Sequence, residues 1–470
     1  MGKKAALNCT SHARRCVILV IIIIPLTVSG CASVPHSRIA ICGTTNQGTV
    51  LLGLKAQVDN NVIMVSELQK ALLRAQSGAT CPYQWLPANY DPITHHERDD
   101  KHLWFVVGAN AGGLGGTVFR LTWRYDQAEE WFQLHPGDFV MDVIWTEKQG
   151  WQALVAGGDP HCSNTQPGNE AWAISCALQS GAIYLVDDRG NYDQLLGPDG
   201  IGRCEGVFNP SGTAVAFRES ILCFTSAEQN ASSRIVVVDL DSQELWRLPG
   251  DGQQYGPYWS PDGTQLAFTV VLEAKPIGTP STESASARIS QPQVVNVWNR
   301  QVIPLPSLVD NSSASCSLMQ APDVWSPDGQ KLLCNCSIWA EEHRRETLVI
   351  LDVSKGSVTE IDTFADSPGY WPGAAWIDSD TVEWKIVGPR PGAELKLFDL
   401  RTGDTRSLFV EPSYNWTWLR RSPDGNMLAL LRTTKDRSYI DLFAWHDLAI
   451  TTTVELPQDA EWVDLYWVSE

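Results

Sequence analysis

The chain has 470 residues, and its 54 acidic side chains outnumber the 35 basic ones, which gives a formal net charge of −19. This acidity argues against nucleic acid and anionic lipid as partners, because proteins that bind them present basic patches. A hydrophobic content of 43%, with 20 tryptophans, excludes an intrinsically disordered chain, since disorder requires low hydrophobicity.

Residues 1–30 have the pattern of a secretory signal peptide. Basic residues precede an apolar run over 16–28, which is shorter than the roughly 20 residues of a transmembrane helix. The run ends in Val28-Ser29-Gly30-Cys31, which resembles a bacterial lipobox. The resemblance implies cleavage before Cys31, lipidation of Cys31, and anchoring on the extracytoplasmic side of a bacterial membrane, at the cell surface or in the periplasm. A plain signal peptide with an incidental cysteine is the alternative.

Residues 31–101 are predicted to form a tether and a short N-terminal segment. An apolar stretch over 50–54 is a strand candidate. A helix is predicted at about 64–75, where Leu68, Ala71, Leu72 and Ala75 fall on one stripe. We expect this helix to pack against the domain that follows.

A repeat runs through residues 102–470. Its strongest copies share an aromatic or basic anchor, a Ser-Pro-Asp-Gly turn and an alternating apolar segment, and they begin at Trp259, Trp325 and Arg421. Weaker copies begin at Trp145, Phe208 and Trp376. Proline sets the first corner of a turn, aspartate bonds its own backbone and glycine takes a positive φ, so each copy predicts a β-hairpin.

A second hairpin follows each copy, with aspartate at the end of a Val- and Leu-rich strand, as in the segment 234–243. Two hairpins make a four-stranded antiparallel sheet. A further anchor at Trp462 lies close to the end of the sequence, which predicts that the C-terminal strand completes a sheet begun near residue 102 and closes a ring. The fold class predicted is all-β: a single β-propeller, most simply with seven four-stranded blades, with six or eight left open because two anchors are degenerate.

The Ser-Pro-Asp-Gly repeats and their partner strands resemble the TolB-type, WD40-like β-propeller repeat over residues 102–470. The resemblance implies a propeller that is frequently exported in bacteria and that binds proteins or ligands at one face or in its central funnel. The repeat also occurs as the gating domain of prolyl-oligopeptidase-type enzymes, but the sequence has no Gly-x-Ser-x-Gly motif. The sequence also shows no counterpart of the amino-terminal domain that is usual in TolB.

Nine cysteines follow Cys31, and export makes them candidates for disulfides. They are Cys42, Cys81, Cys162, Cys176, Cys204, Cys223, Cys316, Cys334 and Cys336. Local pairing is plausible for Cys162–Cys176, Cys204–Cys223 and Cys42–Cys81, whereas Cys316 could bridge to Cys334 or Cys336. Sequence alone does not fix these connections.

The candidate chemistry of the chain is sparse. We interpret the repeated aspartates and glycines as structural turn residues: Asp262, Gly263, Asp328, Gly329, Asp424 and Gly425. The cluster 95–102 is rich in His, Asp and Glu but reads as a charged surface loop, so no metal site and no cofactor are predicted. Tryptophans at the anchors are expected to pack between sheets, and Trp371, Trp416 and Trp418 are the ones to consider for ligand contact.

Three functions remain open at this level. The leading hypothesis is a non-enzymatic, membrane-anchored scaffold that binds a protein or an extracellular ligand at one propeller face. The second is an enzyme that acts on carbohydrate or another polymer in the funnel, with catalytic residues that the sequence does not identify. The third is a sensor or an accessory subunit for transport.

Overall fold

The computed structural model describes the chain from residue 36 to residue 469 with gaps. The described ranges are 36–45, 48–59, 62–73, 84–86, 102–107, 116–122, 127–146, 148–158, 178–220, 232–273, 288–306, 314–319, 324–340, 343–365, 374–387, 393–411, 415–422, 427–433, 437–444, 450–458 and 461–469. Within these ranges, the helices offer no segment that is long and apolar enough to cross a membrane.

The described chain forms 32 β-strands in eight four-stranded antiparallel sheets, which we number in chain order. Sheet 1 contains β1 (His36–Thr45), β2 (Gly48–Asp59), β3 (Val62–Leu73) and β32 (Glu461–Ser469). Sheet 2 contains β4 (Gln84–Leu86), β5 (His102–Val107), β6 (Gly116–Thr122) and β7 (Gln127–Leu134). Sheet 3 contains β8 (Phe139–Thr146), β9 (Gly150–Gly157), β10 (Ala182–Asp187) and β11 (Tyr192–Leu196). Sheet 4 contains β12 (Gly202–Phe208), β13 (Ala214–Ser220), β14 (Ser233–Asp239) and β15 (Leu245–Arg247).

The remaining sheets follow the same pattern. Sheet 5 contains β16 (Gln253–Trp259), β17 (Gln265–Glu273), β18 (Arg288–Asn296) and β19 (Gln301–Ile303). Sheet 6 contains β20 (Ala314–Leu318), β21 (Lys331–Ala340), β22 (His343–Asp352) and β23 (Ser357–Ala365). Sheet 7 contains β24 (Ala374–Asp378), β25 (Thr381–Val387), β26 (Ala393–Asp399) and β27 (Asp404–Glu411). Sheet 8 contains β28 (Asn415–Arg421), β29 (Met427–Thr433), β30 (Ser438–Ala444) and β31 (Ile450–Glu455).

Three sequence predictions about the chain ends are wrong. Sheets begin at His36 rather than near residue 102. The described strands form eight sheets, a number that the prediction left open beside the preferred seven. The C-terminal strand β32 pairs with β1, with Ala40 opposite Tyr466, and does not pair with the strands near residue 102. The segment predicted as a helix is β3, which pairs along its length with β2. Its β-branched start, Val62-Ile63, favours a strand, and pairing with β2 overrides the helical spacing of its leucines.

The two Ser-Pro-Asp-Gly segments that the structure describes in full, 260–263 and 326–329, are tight turns, as their composition indicates. Gly263 and Gly329 have φ values of +69° and +68°, a region that favours glycine. The Ser260 hydroxyl donates to the Asp262 carboxylate at 2.6 Å, and the backbone N–H of Gln265 donates back to that hydroxyl at 2.9 Å. A Cβ on Gly263 would lie 3.3 Å from Pro210, so consecutive turns stack against one another.

Anchor tryptophans join neighbouring sheets. The indole N–H of Trp259 donates to the carbonyl of Val207 at 3.3 Å. The indole N–H of Trp325 donates to the carbonyl of Tyr258 at 2.9 Å, and that of Trp376 donates to the carbonyl of Val324 at 3.3 Å. Each acceptor directly precedes the anchor of the previous sheet. The same hydrogen bond thus links sheets 4 to 5, 5 to 6 and 6 to 7, and it satisfies the polar atom of a large, mostly apolar ring.

Each sheet has two distinct ends. In an antiparallel four-stranded sheet, the connections between strands one and two and between strands three and four leave from the same end, which we call the turn end. The opposite loop end carries the connection between strands two and three. The turn ends of neighbouring sheets meet: Lys148 of sheet 3 pairs with Asp241 of sheet 4 at 3.3 Å, and the Lys331 ammonium of sheet 6 donates to the carbonyl of Ser379 in sheet 7 at 3.0 Å.

Candidate functional site

Buried charges concentrate where β12 lies between β8 and β16, the first strands of sheets 3, 4 and 5. Arg203 and Arg218 are 4% and 1% exposed, although burying an unpaired cation is costly. Each sits in a cross-strand pairing of β12 with β13, with Arg203 opposite Glu219 and Arg218 opposite Cys204. We take this cluster of charges as the candidate functional site.

Arg203 is held by two carboxylates and a carbonyl. Its guanidinium lies 2.6 Å from the Asp199 carboxylate and 3.1 Å from that of Glu219, and it also donates to the carbonyl of Gly181. Arg247 contacts the second oxygen of Glu219 at 2.9 Å. Burial acts to raise the pKa of Asp199, but the hydrogen bond from Arg203 prevails and lowers that pKa below its ordinary value. The charges of this group therefore largely neutralise one another.

Glu205 pairs with Arg218 within sheet 4 and bonds directly to the backbone of sheet 5. The Arg218 guanidinium contacts the Glu205 carboxylate at 2.9 and 3.0 Å and lies 5.0 Å from the centre of the Tyr255 ring. The backbone N–H of Gly256 donates to the same carboxylate at 3.0 Å. Burial, followed by the negative charge of Glu205, raises the pKa of Tyr258 well above its ordinary value. The Glu205 side chain is 28% exposed, so this carboxylate is partly open to solvent.

Glu205 occupies a backbone conformation that favours glycine. Its φ is +56°, and Gly256, which stands at the same distance before the anchor of the next sheet, has a φ of +62°. Asp142 takes this position in sheet 3, and its carboxylate accepts the backbone N–H of Phe208 in sheet 4 at 2.8 Å. In both sheet 3 and sheet 4, a carboxylate three residues before the anchor thus accepts a backbone N–H of the next sheet. Sequence comparison of the repeats could have revealed this position, because the anchors fix its register.

A second polar group joins the starts of β8 and β11 in sheet 3. Asp138, which is 4% exposed, accepts the hydroxyl of Tyr192 at 3.0 Å and the backbone N–H of Gly158 at 3.2 Å. The exposed His135 ring stacks on Tyr192 with 4.3 Å between ring centres. Burial raises the pKa of Asp138 although its hydrogen-bond donors act to lower it. The sequence analysis missed this group, because its members lie 54 residues apart.

The candidate residues of the sequence analysis that the structure describes lie in turns and strands. Asp262 and Asp328 lie in turns, and burial acts to raise their pKa, but the serine hydroxyl and backbone donors of the turn lower it below the ordinary value. Asp424 and Gly425 lie outside the described residues, as do Cys31, Trp371 and most of the cluster 95–102. Only the backbone of β28 is described at Trp416 and Trp418. Among the described residues, no three His, Cys, Asp or Glu side chains are placed to hold a metal ion.

The cysteines are resolved in part. Of the two bridges open to Cys316, the structure contains the one to Cys336, which lies directly opposite on β21. Cys334 is a buried free thiol, and burial raises its pKa to about 12. Cys204 is disulfide-bonded, while Cys223, its expected partner, lies outside the described residues. Cys81, Cys162 and Cys176 also lie outside them, and only the backbone of Cys42 is described.

Comparison with known proteins gives structural resemblances only. No family model matches this chain, and no curated protein matches it. An oligogalacturonate lyase from Vibrio parahaemolyticus is 14% identical over 81% of this chain and 94% of its own, with a TM-score of 0.47. TolB from Acinetobacter baumannii is 13% identical over 76% of this chain and 79% of its own, with a TM-score of 0.31. Both are β-propeller proteins, and at such scores the likeness adds nothing to what the sheets of this chain show.

Proposed function

We propose that the protein is a lipid-anchored β-propeller that binds a protein partner on the extracytoplasmic side of a bacterial membrane. The eight four-stranded sheets and the pairing of β32 with β1 support a ring closed by the two ends of the domain. Closure would leave no sheet without a neighbour on either side. The lipobox-like segment that ends in Cys31 supports the anchor.

The ion pairs and hydrogen bonds of the carboxylates in the β8–β12–β16 cluster favour binding over catalysis as the function of this cluster. Glu219 and Glu205 are each paired with arginine, and Asp142 is bonded to backbone N–H groups of Val143 and Phe208. A general acid or base must be able to exchange its proton with a substrate, whereas these carboxylates are committed to connecting sheets. This favours a rigid scaffold whose loops make the contacts.

The loop end is the proposed binding surface. The connections between strands two and three are long in three consecutive sheets, covering 158–181, 221–232 and 274–287, whereas the turn-end connections of the same three sheets have three to five residues. Recognition residues commonly lie on loops that a rigid scaffold positions. The exposed side chain of Ile201, in the connection that leads into β12, lies at the same end.

Photo-crosslinking in native membranes tests the binding proposal. The full chain carries a photo-reactive amino acid in place of Ile201 at the loop end or, as the matched control, in place of Ser242 at the turn end. We expect one saturable protein adduct from position 201 and none from position 242. No adduct from either position, together with turnover of oligosaccharides by the purified full chain, would instead support the carbohydrate enzyme.

The anchor has its own test. Cys31→Ser in the full chain should move the protein from the membrane fraction to the soluble extracytoplasmic fraction, and intact-mass measurement of the wild-type protein should show acyl chains on Cys31. A Cys31→Ser variant that stays with the membrane would contradict the anchor. Crosslinking at position 201 does not depend on this outcome, so the two parts of the proposal are tested separately.

A further inference from the structure

Three side chains that can ligate a metal meet where the chain passes from sheet 2 into sheet 3. The Asp138 carboxylate lies 3.0 Å from the Tyr192 hydroxyl and 3.6 Å from Nδ1 of His135. Donors that share one ion at about 2.0–2.2 Å lie roughly 2.8–3.6 Å from one another, so both separations fit a common ion. We call His135, Asp138 and Tyr192 the donor triad.

A tight turn fixes two of the three donors. The turn His135-Pro136-Gly137-Asp138 joins β7 to β8, and the Asp138 N–H closes it by donating to the His135 carbonyl at 3.1 Å. Proline at its second position and glycine at its third, with a φ of +90°, are typical of a type II turn. A Cβ on Gly158 would overlap the Gly137 carbonyl, so the turn packs directly against the chain that leaves β9. The imidazole and the carboxylate therefore start from closely spaced, well-defined backbone positions.

The buried carboxylate of the triad has no permanent countercharge. In the part of the chain that the structure describes, no lysine or arginine contacts Asp138, and its remaining hydrogen bond comes from the backbone N–H of Gly158. The equally buried Asp441, by contrast, is paired with Arg432. A buried anion without such a partner is costly, and burial accordingly raises the pKa of Asp138. A bound cation would supply the missing charge.

The phenol of Tyr192 determines which cation suits the triad. Burial, followed by the negative charge of Asp138, raises the pKa of Tyr192 well above its ordinary value. Because this phenol must lose its proton to become a ligand, the cation has to be a strong Lewis acid, which excludes Mg²⁺ and Ca²⁺. Ferric iron is hard and strongly acidic, and iron accepts tyrosine and histidine as ligands. The backbone N–H of His135, 3.4 Å from the Tyr192 oxygen, would stabilise the phenolate once it forms.

We propose that the donor triad binds one ferric ion through the imidazole nitrogen, the carboxylate oxygen and the phenolate oxygen. Binding forms the iron–phenolate bond, releases the phenol proton to solvent and changes no oxidation state. The His135 side chain is 69% exposed, so the ion has access from solvent, and water or a small chelating anion would complete its coordination. This inference rests neither on the lipid anchor nor on a protein partner.

Visible absorption tests the site in the full chain. Ferric iron supplied as its nitrilotriacetate complex should produce a phenolate-to-iron charge-transfer band that saturates at one ion per chain. Tyr192→Phe should abolish the band. His135→Gln should weaken ferric binding by at least about tenfold, the loss that follows removal of even an outer-shell partner. Tyr184→Phe is the matched control and should keep the band, since the Tyr184 ring only packs edge-on against that of Tyr192, with 5.5 Å between centres.

The outcomes distinguish a metal site from a group held by hydrogen bonds alone. No band in the folded wild-type chain, or a band that survives in Tyr192→Phe, would overturn the proposal. Iron that binds without the band would be held by surface carboxylates and would overturn it as well. Thermal unfolding without iron checks that each variant folds. His135→Gln changes an exposed side chain and keeps the test decisive if Tyr192→Phe is unfolded, because unchanged ferric affinity in that variant would contradict the triad.

Discussion

Burying an arginine without a charge partner is energetically costly, and the two buried arginines of sheet 4 are each paired with carboxylates. Arg218 is 1% exposed, and Glu205 supplies its charge partner from a strand position with a positive φ. A non-glycine residue in that region carries backbone strain of about 1 kcal/mol or more. Glycine, which Gly256 supplies at the equivalent position of sheet 5, would avoid this strain but could not neutralise Arg218.

Removing the Glu205 carboxylate should destabilise the protein. Glu205→Ala leaves Arg218 buried without this carboxylate, and we expect a loss of about 2–3 kcal/mol, below the usual range for a fully buried pair because Glu205 is partly exposed. Glu205→Gln is the matched control: it keeps an acceptor for the Gly256 N–H and should lose less. Urea unfolding of both variants measures the difference, and an unchanged midpoint for Glu205→Ala would contradict the assigned role.

The turn aspartates should make stability depend on pH. The pKa of Asp328 lies below its ordinary value of 3.8, since the hydrogen bonds from Ser326, Gln330 and Lys331 outweigh its burial. A carboxylate whose pKa is lower in the folded state than in the unfolded state adds stability above about pH 4. That stability is lost as the pH falls through the folded-state pKa. Asp328→Asn should therefore be less stable than the wild type at pH 7, with the difference closing by about pH 2. Asp193→Asn, on an exposed position of β11, is the control, and a gap that persists in acid would refute the ionic contribution.

Hairpins are the elements that the sequence predicted best. Ser260-Pro261-Asp262-Gly263 encodes its own turn, because each residue has a local backbone role that does not depend on the rest of the chain. The third-to-fourth-strand turns follow the same rule: Asp239 accepts the backbone N–H of Ser242 at 2.7 Å. The helix predicted in place of β3 was wrong because β3 is stabilised by pairing with β2. The local spacing of its leucines carries no information about that pairing.

The reactivity and pairing of the cysteines test the register in which β20 pairs with β21. Cys316 lies opposite Cys336, and Cys334 lies opposite Leu318, so a slip of two residues would exchange the bridging partner. Cys334 is buried and its pKa is raised to about 12, so it should resist iodoacetamide in the native protein and react in urea. Peptide mapping checks both points. A Cys316–Cys334 bridge, or rapid native labelling at Cys334, would contradict this register.

At the scale of the whole molecule, the decisive contacts join residues hundreds of positions apart. The buried residue Ile39 in β1 lies opposite Trp467 in β32, and no local pattern links them. The sequence predicted that the C-terminal strand pairs with a sheet begun near residue 102, which was wrong, because the first strands lack a Ser-Pro-Asp-Gly anchor that would have identified them. The candidate site was hidden for a similar reason: Asp142 and Phe208, or Glu205 and Gly256, meet only when neighbouring sheets pack.

The pairing of β1 with β32 is the feature on which the proposed closed ring depends. Paired cysteines test it directly: Ala40→Cys with Tyr466→Cys should form a disulfide without added catalyst, because directly opposite residues on antiparallel strands bring their Cα atoms within bridging distance. Trp104→Cys with Tyr466→Cys is the matched alternative, since it places the partner in β5, where the sequence alone would put it. Peptide mapping should find the 40–466 bridge and no 104–466 bridge. A 104–466 bridge, with residues 40 and 466 unlinked, would contradict the sheet order described here.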